Sequence, residues 1–386
     1  MSSTQRATGP EIHRQTVAVV GLGSIGGVAA GCLAAAGRHD VVVCVRRPID
    51  RLTFEHPGGT VELPLRALTD PAEAKPADWV LLCTKAHQTQ AAAPWLERLC
   101  TPSTHVAVLQ NGIGHAARVA PFVNGATVVP VIVYYNGERL AADRVRLRQG
   151  SDHDLAVADD AAGRAFARLL DGTALRVFMS GDFTTLAWRK LLINAIANPI
   201  TALTLQRQAV LRRPDVQQLC HAILDEAVNV AHAEGARLAD DEPARALATL
   251  FTFSGELGTS MYFDRLAGRP LEVDALTGAI VAAAERHGIA TPINRALLTL
   301  LRAISDAADD ELPADIGRLL AQKSFAGQLG AAVGSIFRRP AAVKDLFNLH
   351  RNALASSSRL AKFLRMLIER LELGNVPPCG HLLAGS

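Results

Sequence analysis

Short apolar runs alternate with helical patterns through the first part of the chain. The first run, Thr16 to Val20, is β-branched and ends at a glycine-rich turn, after which an alanine-rich segment continues to about Ala36. Short β-branched runs favour strands, and apolar positions spaced by three and four favour helices. The pattern therefore predicts a strand, a tight turn and a helix, in that order.

The same alternation continues downstream. A second strand is predicted at Val41 to Val45, and an amphipathic helix at about His87 to Cys100. Further strands are predicted at Trp79 to Cys83, Val106 to Leu109 and Val128 to Val133. Alternating strands and helices are typical of a mostly parallel, doubly wound sheet. We therefore expect an α/β fold with a Rossmann-type nucleotide domain over residues 16–180, after a flexible extension over residues 1–15.

The pattern changes near Gly181. Before it lies a β-rich segment, with strands predicted at Arg144 to Arg148, Leu155 to Ala158 and Leu175 to Met179. After it, the amphipathic segments are about Thr184 to Ala197, Val216 to Glu234, Asp274 to His287 and Ile293 to Ala307. These patterns predict an all-helical domain over residues 181–309. We expect the active site at the seam between the two domains, where reacting groups are shielded from water.

The remaining residues, 310–386, form a basic extension. Between Asp315 and Glu372 there are ten Lys or Arg residues and four Asp or Glu residues. A final helix is indicated by apolar residues at helical spacing, namely Leu360, Phe363, Leu364, Leu367, Ile368 and Leu371. Basic amphipathic helices are typical of segments that lie on anionic membranes or bind partners. Packing on the helical domain or across a dimer is the favoured interpretation here.

Composition narrows the class of protein. The net charge of +3 is too small to suggest a nucleic-acid partner, and 49% apolar with 20% charged residues is ordinary for a soluble enzyme. No apolar run reaches membrane-spanning length, and the polar start lacks the apolar core of a signal peptide, so a cytoplasmic location is expected. The cysteines show no paired spacing, which predicts reduced, mostly buried thiols and no metal site; they are Cys32, Cys44, Cys83, Cys100, Cys220 and Cys379.

The turn after the first strand has the spacing of a dinucleotide-binding loop. It consists of Gly21, Leu22, Gly23, Ser24, Ile25 and Gly26. The first glycine permits the turn, the second lets the backbone approach a pyrophosphate, and the third lets helix and strand pack closely.

The end of the second strand selects the cofactor. A carboxylate there would bind the ribose 2′-hydroxyl of NAD, but this chain has Arg46 and Arg47 and no acid between Val41 and Arg47. Two guanidinium groups suit a 2′-phosphate. We therefore expect NADP(H) as the cofactor, with two solvated arginines as the alternative.

Two polar motifs follow later strands. Thr84-Lys85-Ala86-His87-Gln88 comes after one strand, and Gln110-Asn111-Gly112-Ile113-Gly114 comes after the next. Ligands of doubly wound sheets bind outside the carboxyl ends of the strands. Lys85 could reach a phosphate or a carboxylate, and Asn111 could bind a ribose or the substrate. The alternatives are a surface cation at a helix start and a plain turn.

One predicted helix carries polar residues every four positions, at Lys190, Asn194 and Asn198. Side chains at this spacing share one helix face. Only six of the 40 basic residues are lysines, so a lysine beside two amides suggests chemistry that arginine cannot perform. An ammonium group can release a proton near neutral pH, whereas a guanidinium group does not. The alternative is an amphipathic helix with a snorkelling lysine and capping amides.

A last candidate pair, Ser260 and Glu272, lies between the predicted helices of the second domain. By themselves they are better explained as a helix cap and an acid in the first turn of a helix.

Taken together, these motifs resemble the ketopantoate reductase (2-dehydropantoate 2-reductase) family, whose helical domain is of the 6-phosphogluconate-dehydrogenase type. The resemblance covers about residues 16–308 and rests on six ordered motifs. They are the GLGSIG loop, Arg46, the TKAHQ segment, QNGIG, RKLLINAIANP with the following Thr201 and Ala202, and SM followed by RPLEVD.

The resemblance implies a role for each matching residue. Lys190 matches the general acid that protonates the ketone oxygen, and Glu272 matches the acid that supports the lysine and nicotinamide region. Asn194 and Asn198 match amides that hold the substrate hydroxyls, and Ser260 matches a carboxylate contact. Lys85, with Gln88 in the same motif, and Asn111 match cofactor-side and substrate-side contacts. The chain departs from the family at Gln208, where an asparagine is expected, and at Tyr134-Tyr135-Asn136.

The resemblance implies NADPH-dependent reduction of the C2 ketone of 2-dehydropantoate to (R)-pantoate, in a homodimer. A second hypothesis keeps the reaction but changes the substrate to another branched or bulky 2-keto acid. A third is a non-catalytic NADP(H)-binding regulator whose basic tail binds a partner. Retention of Lys190, Asn194, Asn198 and Glu272 argues against a regulator, because a sensor does not need a proton donor.

Overall fold

The computed structural model of the protein describes residues 14–309. Its strands are β1 (Thr16–Val20), β2 (Asp40–Cys44), β3 (Arg51–His56), β4 (Gly59–Pro64), β5 (Arg66–Leu68), β6 (Trp79–Leu82), β7 (His105–Val108), β8 (Thr127–Pro130), β9 (Ile132–Val133), β10 (Asn136–Ala141), β11 (Arg144–Arg148), β12 (Leu155–Ala158) and β13 (Val177–Ser180). Its helices are α1 (Ser24–Ala36), α2 (Thr89–Leu99), α3 (His115–Val119), α4 (Ala161–Leu169), α5 (Phe183–Thr204), α6 (Pro214–Ala233), α7 (Glu242–Thr252), α8 (Ser260–Leu266), α9 (Thr277–His287) and α10 (Pro292–Asp309).

The central sheet has six parallel strands in the order β5-β2-β1-β6-β7-β8. This is the strand order of a dinucleotide-binding domain built from two βαβαβ halves. The strands at its centre are buried on both faces, which explains their unbroken apolar runs. The predicted doubly wound parallel sheet is confirmed.

A second sheet, in the order β10-β11-β3-β4, covers the other side of α1. Its inward side chains include Leu52, Phe54, Val145 and Leu147, all of which are buried. No strands were predicted over residues 51–68, because charged residues alternate with the apolar ones there. In the structure those charges lie on the outer face, where Arg144 and Arg146 pair with Glu55.

One predicted strand is in fact two. The run Val128 to Val133 divides at Pro130, so that β8 closes the parallel sheet and β9 joins β12 and β13 in a third sheet. β9 pairs antiparallel with β12, through Ile132 and Ala156. An apolar run shows that a segment is buried but does not identify its neighbour. The division brings the carbonyl of Val133 to the candidate site.

The second part of the chain is helical, as expected. From residue 181 to residue 309 the structure contains helices and turns only. The long helix α5 runs through the centre of this part and packs against α6, α7 and α8. Asp182 begins it, since its carboxylate accepts a hydrogen bond from the Thr185 amide at 3.2 Å. Helices α7 and α8, of 11 and 7 residues, are absent from the sequence prediction.

Five cysteines lie in the described residues, and all five are free and buried, as predicted; they are Cys32, Cys44, Cys83, Cys100 and Cys220. Among residues 14–309, no helix is both long and apolar enough to cross a membrane. Cys379, the predicted helix near Leu360 and the N-terminal extension before Arg14 lie outside the described residues.

Candidate active site

The carboxyl ends of four parallel strands lie side by side. In the register of the sheet, Val20 is next to both Cys44 and Leu82, and Leu82 is next to Val108. The segments that follow these strands carry the glycine loop, the arginine pair and the two polar motifs. The sequence prediction that they share one edge of the sheet therefore agrees with the structure.

The glycine loop leaves room for a ligand at the start of α1. Gly21 has a φ of 93°, and a Cβ atom at Gly26 would lie 1.9 Å from the Gly21 carbonyl oxygen. At Gly23 an added Cβ would meet no atom within 4 Å, and no side chain caps the helix there. Uncapped amides at an open helix start fit a phosphate group. Leu22 is buried beneath the loop, while Ser24 and Ile25 form the first turn.

The arginine pair and Gln88 occupy neighbouring parts of this edge. Arg46 and Arg47 are exposed, directly beyond β2. Their side chains are therefore accessible to a phosphate in solution. The Gln88 side chain accepts a hydrogen bond from the backbone amide of Lys85 at 3.4 Å, which shapes the short 3-10 turn from Ala86 to Gln88.

Lys85 joins the nucleotide-binding part to the helical part. Its ammonium nitrogen lies 2.9 Å from Asp264 Oδ2 and 3.0 Å from Glu272 Oε2, and both carboxylates are buried. Asp264 also binds Arg269, at 2.9 Å. Burial alone would lower the pKa of Lys85, but the charges of Glu272 and Asp264 outweigh it and raise the pKa above the usual value. Lys85 is therefore a permanent cation rather than a helix-start surface residue.

Glu272 is the centre of this network. Its Oε1 accepts a hydrogen bond from the Ala86 amide at 3.0 Å, and its Oε2 accepts a second from the Asn111 amide group at 3.4 Å. Glu272 precedes α9, which begins at Thr277, so the alternative of an acid in the first helical turn is wrong. The lysine that it contacts is Lys85, whereas its influence on Lys190 is a longer-range electrostatic one.

Asn111 is presented by a rigid turn. The preceding Gln110 is buried, and its amide donates to Thr84 Oγ1 at 3.2 Å and to Thr89 Oγ1 at 3.0 Å. Arg118 donates to the Gln110 Oε1 atom at 3.0 Å. These bonds hold the backbone before Asn111, so its side chain can face the cleft between the two parts of the chain.

His115 also supports this turn, from α3. Its Nε2 atom hydrogen-bonds the Gln110 carbonyl oxygen at 2.8 Å. Burial, with the charge of Arg118, lowers the pKa of His115 to about 4. The imidazole is therefore neutral near pH 7 and donates its Nε2 proton to the carbonyl.

Lys190 lies on the facing side of that cleft. A small cleft is lined by Asn111, Gly112, Val133, Lys190 and Asn194 together with their neighbours. The Lys190 ammonium group donates a hydrogen bond to the Val133 carbonyl oxygen. Burial lowers the pKa of Lys190 to about 8, although the charge of Glu272 acts in the opposite direction. A lysine with such a pKa can hold a proton near neutral pH and also release it.

The two amides on α5 form a chain that ends at α8. Asn198 is buried, and its Oδ1 accepts hydrogen bonds from Ser260 Oγ and from the Met261 amide, both at 3.3 Å. Its own amide group donates to Asn194 Oδ1 at 3.3 Å. The chain leaves the amide group of Asn194 as the donor end beside Lys190. Asn198 is thus held by protein partners, and Asn194 is the amide that lines the cleft.

Ser260 is exposed at the first position of α8. The cap of that helix is its neighbour Thr259, whose hydroxyl oxygen accepts from the Tyr262 amide at 3.2 Å. The interpretation of Ser260 as the helix cap is therefore wrong. Its hydroxyl group lies beside Asn198 instead.

Sequence reasoning missed three contributors to the site. Asp264 shares Lys85 with Glu272, the Val133 carbonyl accepts from Lys190, and the Tyr134 ring lies 5.2 Å from the Lys190 ammonium nitrogen. Asp264 stands four residues after Ser260, one helical turn away, which was an available signal. The position of β9 depends on strand pairing and carried no such signal.

Gln208, where the family pattern has an asparagine, lies at the start of a short 3-10 helix. Its backbone amide donates a hydrogen bond to the Leu257 carbonyl oxygen.

Both parts of the described chain match models of one protein family. Residues 17–159 match the family model described as ketopantoate reductase PanE/ApbA, and residues 182–305 match its C-terminal model. The chain is 41% identical over 292 residues to a Mycobacterium tuberculosis protein named 2-dehydropantoate 2-reductase, covering 75% of this chain and 98% of that one. It is 38% identical over 291 residues to the Caulobacter vibrioides protein of the same name, with 75% and 98% covered.

Solved structures show the same architecture. A dimeric ketopantoate reductase from Staphylococcus aureus has a TM-score of 0.68 at 26% identity, covering 76% of this chain and 99% of that one. A PanE/ApbA family ketopantoate reductase from Ralstonia eutropha has a TM-score of 0.68 at 29% identity, covering 76% and 99%. The match to the family models ends at residue 305.

Proposed function

The chain belongs to the ketopantoate reductase family, and from that premise we propose that it reduces the C2 ketone of 2-dehydropantoate to (R)-pantoate with NADPH. The observation that carries the proposal is a contrast between two lysines. Lys190 lines the cleft, and Lys85 is joined to the cleft residue Asn111 through Glu272. Lys85 pairs with two buried carboxylates and keeps its charge, whereas burial brings the pKa of Lys190 to about 8. Environments that move the pKa values of two like groups apart mark different roles in catalysis.

Lys190 is the proposed general acid. As C2 of the keto acid is reduced, negative charge develops on the carbonyl oxygen, and a cationic donor aimed at that oxygen lowers the barrier. One Nζ–H bond of Lys190 breaks as the hydroxyl O–H bond of the product forms. The Val133 carbonyl, by accepting a second proton of the ammonium group, holds the nitrogen at the cleft. Asn194 and Asn111 are the proposed partners of the substrate's polar groups, with Ser260 and Asn198 behind them.

NADPH, when bound, supplies the hydride for C2. We assign its pyrophosphate to the open start of α1 at Gly23, where no side chain occupies the helix end. Lys85 and Gln88 would lie on the cofactor side, and Glu272 would orient Lys85 and Asn111 at the nicotinamide end through its hydrogen bonds to both.

Arg46 and Arg47 are proposed to bind the 2′-phosphate. Replacing both by alanine should raise the dissociation constant for NADPH by at least about 100-fold, because each of the two charge-assisted contacts contributes about 1.5–3 kcal/mol. The dissociation constant for NADH should change by less than about threefold, since NADH lacks the phosphate that these side chains bind. Fluorescence titration of the double variant with each nucleotide measures both values. Equal losses for the two nucleotides would contradict the phosphate role.

The substrate assignment is tested by turnover. NADPH oxidation by the full-length protein should be fastest with 2-dehydropantoate, and slower with 2-ketoisovalerate and pyruvate, which lack the C4 hydroxyl group of the proposed substrate. Faster turnover of a competing keto acid would point to the second hypothesis. Tight NADPH binding without turnover of any keto acid would favour a non-catalytic regulator.

We also propose a cytoplasmic homodimer. The similar Staphylococcus aureus enzyme is described as dimeric, and the helical part of this chain exposes apolar side chains such as Phe263 and Leu266. Light scattering of the purified protein should give twice the mass of the chain, and half that value would exclude the dimer.

A further inference from the structure

Three aromatic side chains lie side by side behind the proposed general acid. The ring of Tyr134 meets the ring of His153 edge-on, with centroids 4.7 Å apart, and His153 lies 5.1 Å from Phe178. Tyr134 follows β9, His153 precedes β12, and Phe178 lies on β13. All three lie on or directly beside strands of the third sheet, and we call them the aromatic row.

Tyr134 is the member of the row that meets the site. The ammonium nitrogen of Lys190 lies over its ring, 5.2 Å from the centroid. A cation within about 6 Å of an aromatic centroid is attracted by the negative face of the ring. We propose that Tyr134 is a positioning residue, which holds the Lys190 ammonium group over its ring and keeps that proton donor charged and directed at the substrate. This inference rests on the proposed function of Lys190.

The contacts of Lys190 make this assignment specific. An ammonium group has three N–H donors and no acceptor. One donor goes to the Val133 carbonyl, and the ring of the next residue, Tyr134, faces the charge. Two consecutive residues therefore hold the nitrogen from the side of the third sheet. The remaining donor is left for the cleft that Asn111 and Asn194 line.

The ring of Tyr134 matters because opposing influences set the pKa of Lys190. Burial lowers the pKa of Lys190 to about 8, and the charge of Glu272 limits that fall. Attraction by the ring favours the charged form and acts in the same direction as Glu272. Because the ammonium group is partly removed from water, this attraction is stronger than at an exposed site. Without the ring, the pKa of Lys190 should therefore fall further.

The other titratable groups nearby are identifiable. His115, whose pKa is about 4, is neutral at the pH values near 8 where Lys190 loses its proton. Burial raises the pKa of Tyr134 to about 12 against the opposing charge of Arg189, so its hydroxyl group stays protonated. His153, whose ring meets that of Tyr134 edge-on, is the other ionisable side chain in contact with the ring.

The test compares two variants of Tyr134. Lys190 donates only when protonated, so the turnover number kcat should decline in the wild type as the pH rises through about 8. In Tyr134→Leu the declining limb should move down by about one pH unit, which corresponds to the loss of a partly desolvated cation–π contact. In Tyr134→Phe, which keeps a ring, the declining limb should stay within about 0.3 pH units of its wild-type position. Equal limbs in wild type and Tyr134→Leu, or equal displacement in both variants, would overturn the inference.

A second readout does not depend on turnover. The rate at which Lys190 reacts with trinitrobenzenesulfonate can be followed against pH by peptide mass spectrometry, with exposed Lys75 as the internal reference. The pH at the midpoint of this reactivity curve should fall by about one pH unit in Tyr134→Leu. It should stay nearly constant in Tyr134→Phe. If Lys190 shows this shift but the wild type reduces no keto acid, the proposed function fails while the positioning role stands. If the midpoint is unchanged, the positioning role fails.

Two further variants complete the test, one as a replacement for Tyr134→Leu and one as a control for His153. Tyr134→Met also lacks the ring but is flexible enough to fill its space, so it replaces Tyr134→Leu should that variant fail to fold. It should show the same downward movement. His153→Phe keeps an aromatic neighbour for Tyr134 and cannot titrate. Its declining limb should remain near pH 8, and disappearance of the limb would assign it to His153 and overturn the inference.

Discussion

Replacing Lys190 by alanine should lower kcat/KM for 2-dehydropantoate by about 10³-fold or more, because general acid catalysis and charge stabilisation are lost together. The dissociation constant for NADPH should change by less than about threefold, since the phosphate-binding loop and the arginine pair are untouched. Steady-state kinetics and fluorescence titration measure the two quantities separately. A variant that retains most of its turnover would disprove the assignment of Lys190.

The chain offers matched controls for this experiment. Lys190→Arg retains a positive charge but cannot release a proton, so it should recover little of the lost turnover. Lys75→Ala removes an exposed lysine that is far from Lys190 in the sequence, and it should leave kcat/KM unchanged. Full activity in Lys190→Arg would show that charge alone is needed, which would contradict proton transfer from this residue.

Replacing Gly112 by alanine should unfold or severely weaken the protein, lowering the free energy of unfolding by about 3–5 kcal/mol. Gly112 has a φ of 94°, and a Cβ atom there would lie 1.9 Å from the carbonyl oxygen of Ala275. Ala275 belongs to the segment that carries Glu272. Relief of the clash must therefore separate Asn111 from Glu272 and disturb the site as well as the fold. Urea unfolding and turnover of any folded fraction measure the two effects.

Gly114 is the control in the same turn. Its φ of 72° is also in the left-handed region, but an added Cβ would meet no atom within 4 Å. Gly114→Ala should cost only the backbone strain, about 1–2 kcal/mol. The difference between the two variants isolates the contact with Ala275. Equal losses of stability would show that backbone strain alone accounts for Gly112.

Much of the nucleotide-binding part could be predicted from the chain. β1, the glycine turn and α1 follow from local physics, since β-branched residues favour strands and a positive φ at Gly21 favours glycine. The outer strands β3 and β4 were missed because their charges mask the apolar residues that pack on α1. The division of residues 128–133 was missed because burial, which the pattern reports, is the same in both sheets.

The candidate site was only partly predictable. Lys190, Asn194 and Asn198 share a helix face because their spacing matches the helical repeat, and their placement on α5 agrees with the structure. The partners of Glu272 could not be read from the chain, because Lys85 lies 187 residues before it. The Val133 carbonyl was missed for the same reason, whereas Asp264 lies one helical turn after Ser260 and its local signal was overlooked.

The sequence by itself determined the class of fold, the edge of the sheet that carries the polar motifs and the helix that carries the proposed acid. These properties depend on local periodicity and on the chemistry of residue types. Only the tertiary structure decided which lysine can release its proton near neutral pH. Lys85 and Lys190 are the same residue type, but Lys85 meets two buried carboxylates, whereas the half-buried Lys190 lies against a carbonyl and an aromatic ring. A pKa depends on desolvation and on neighbouring charges, and both are set by contacts between distant segments.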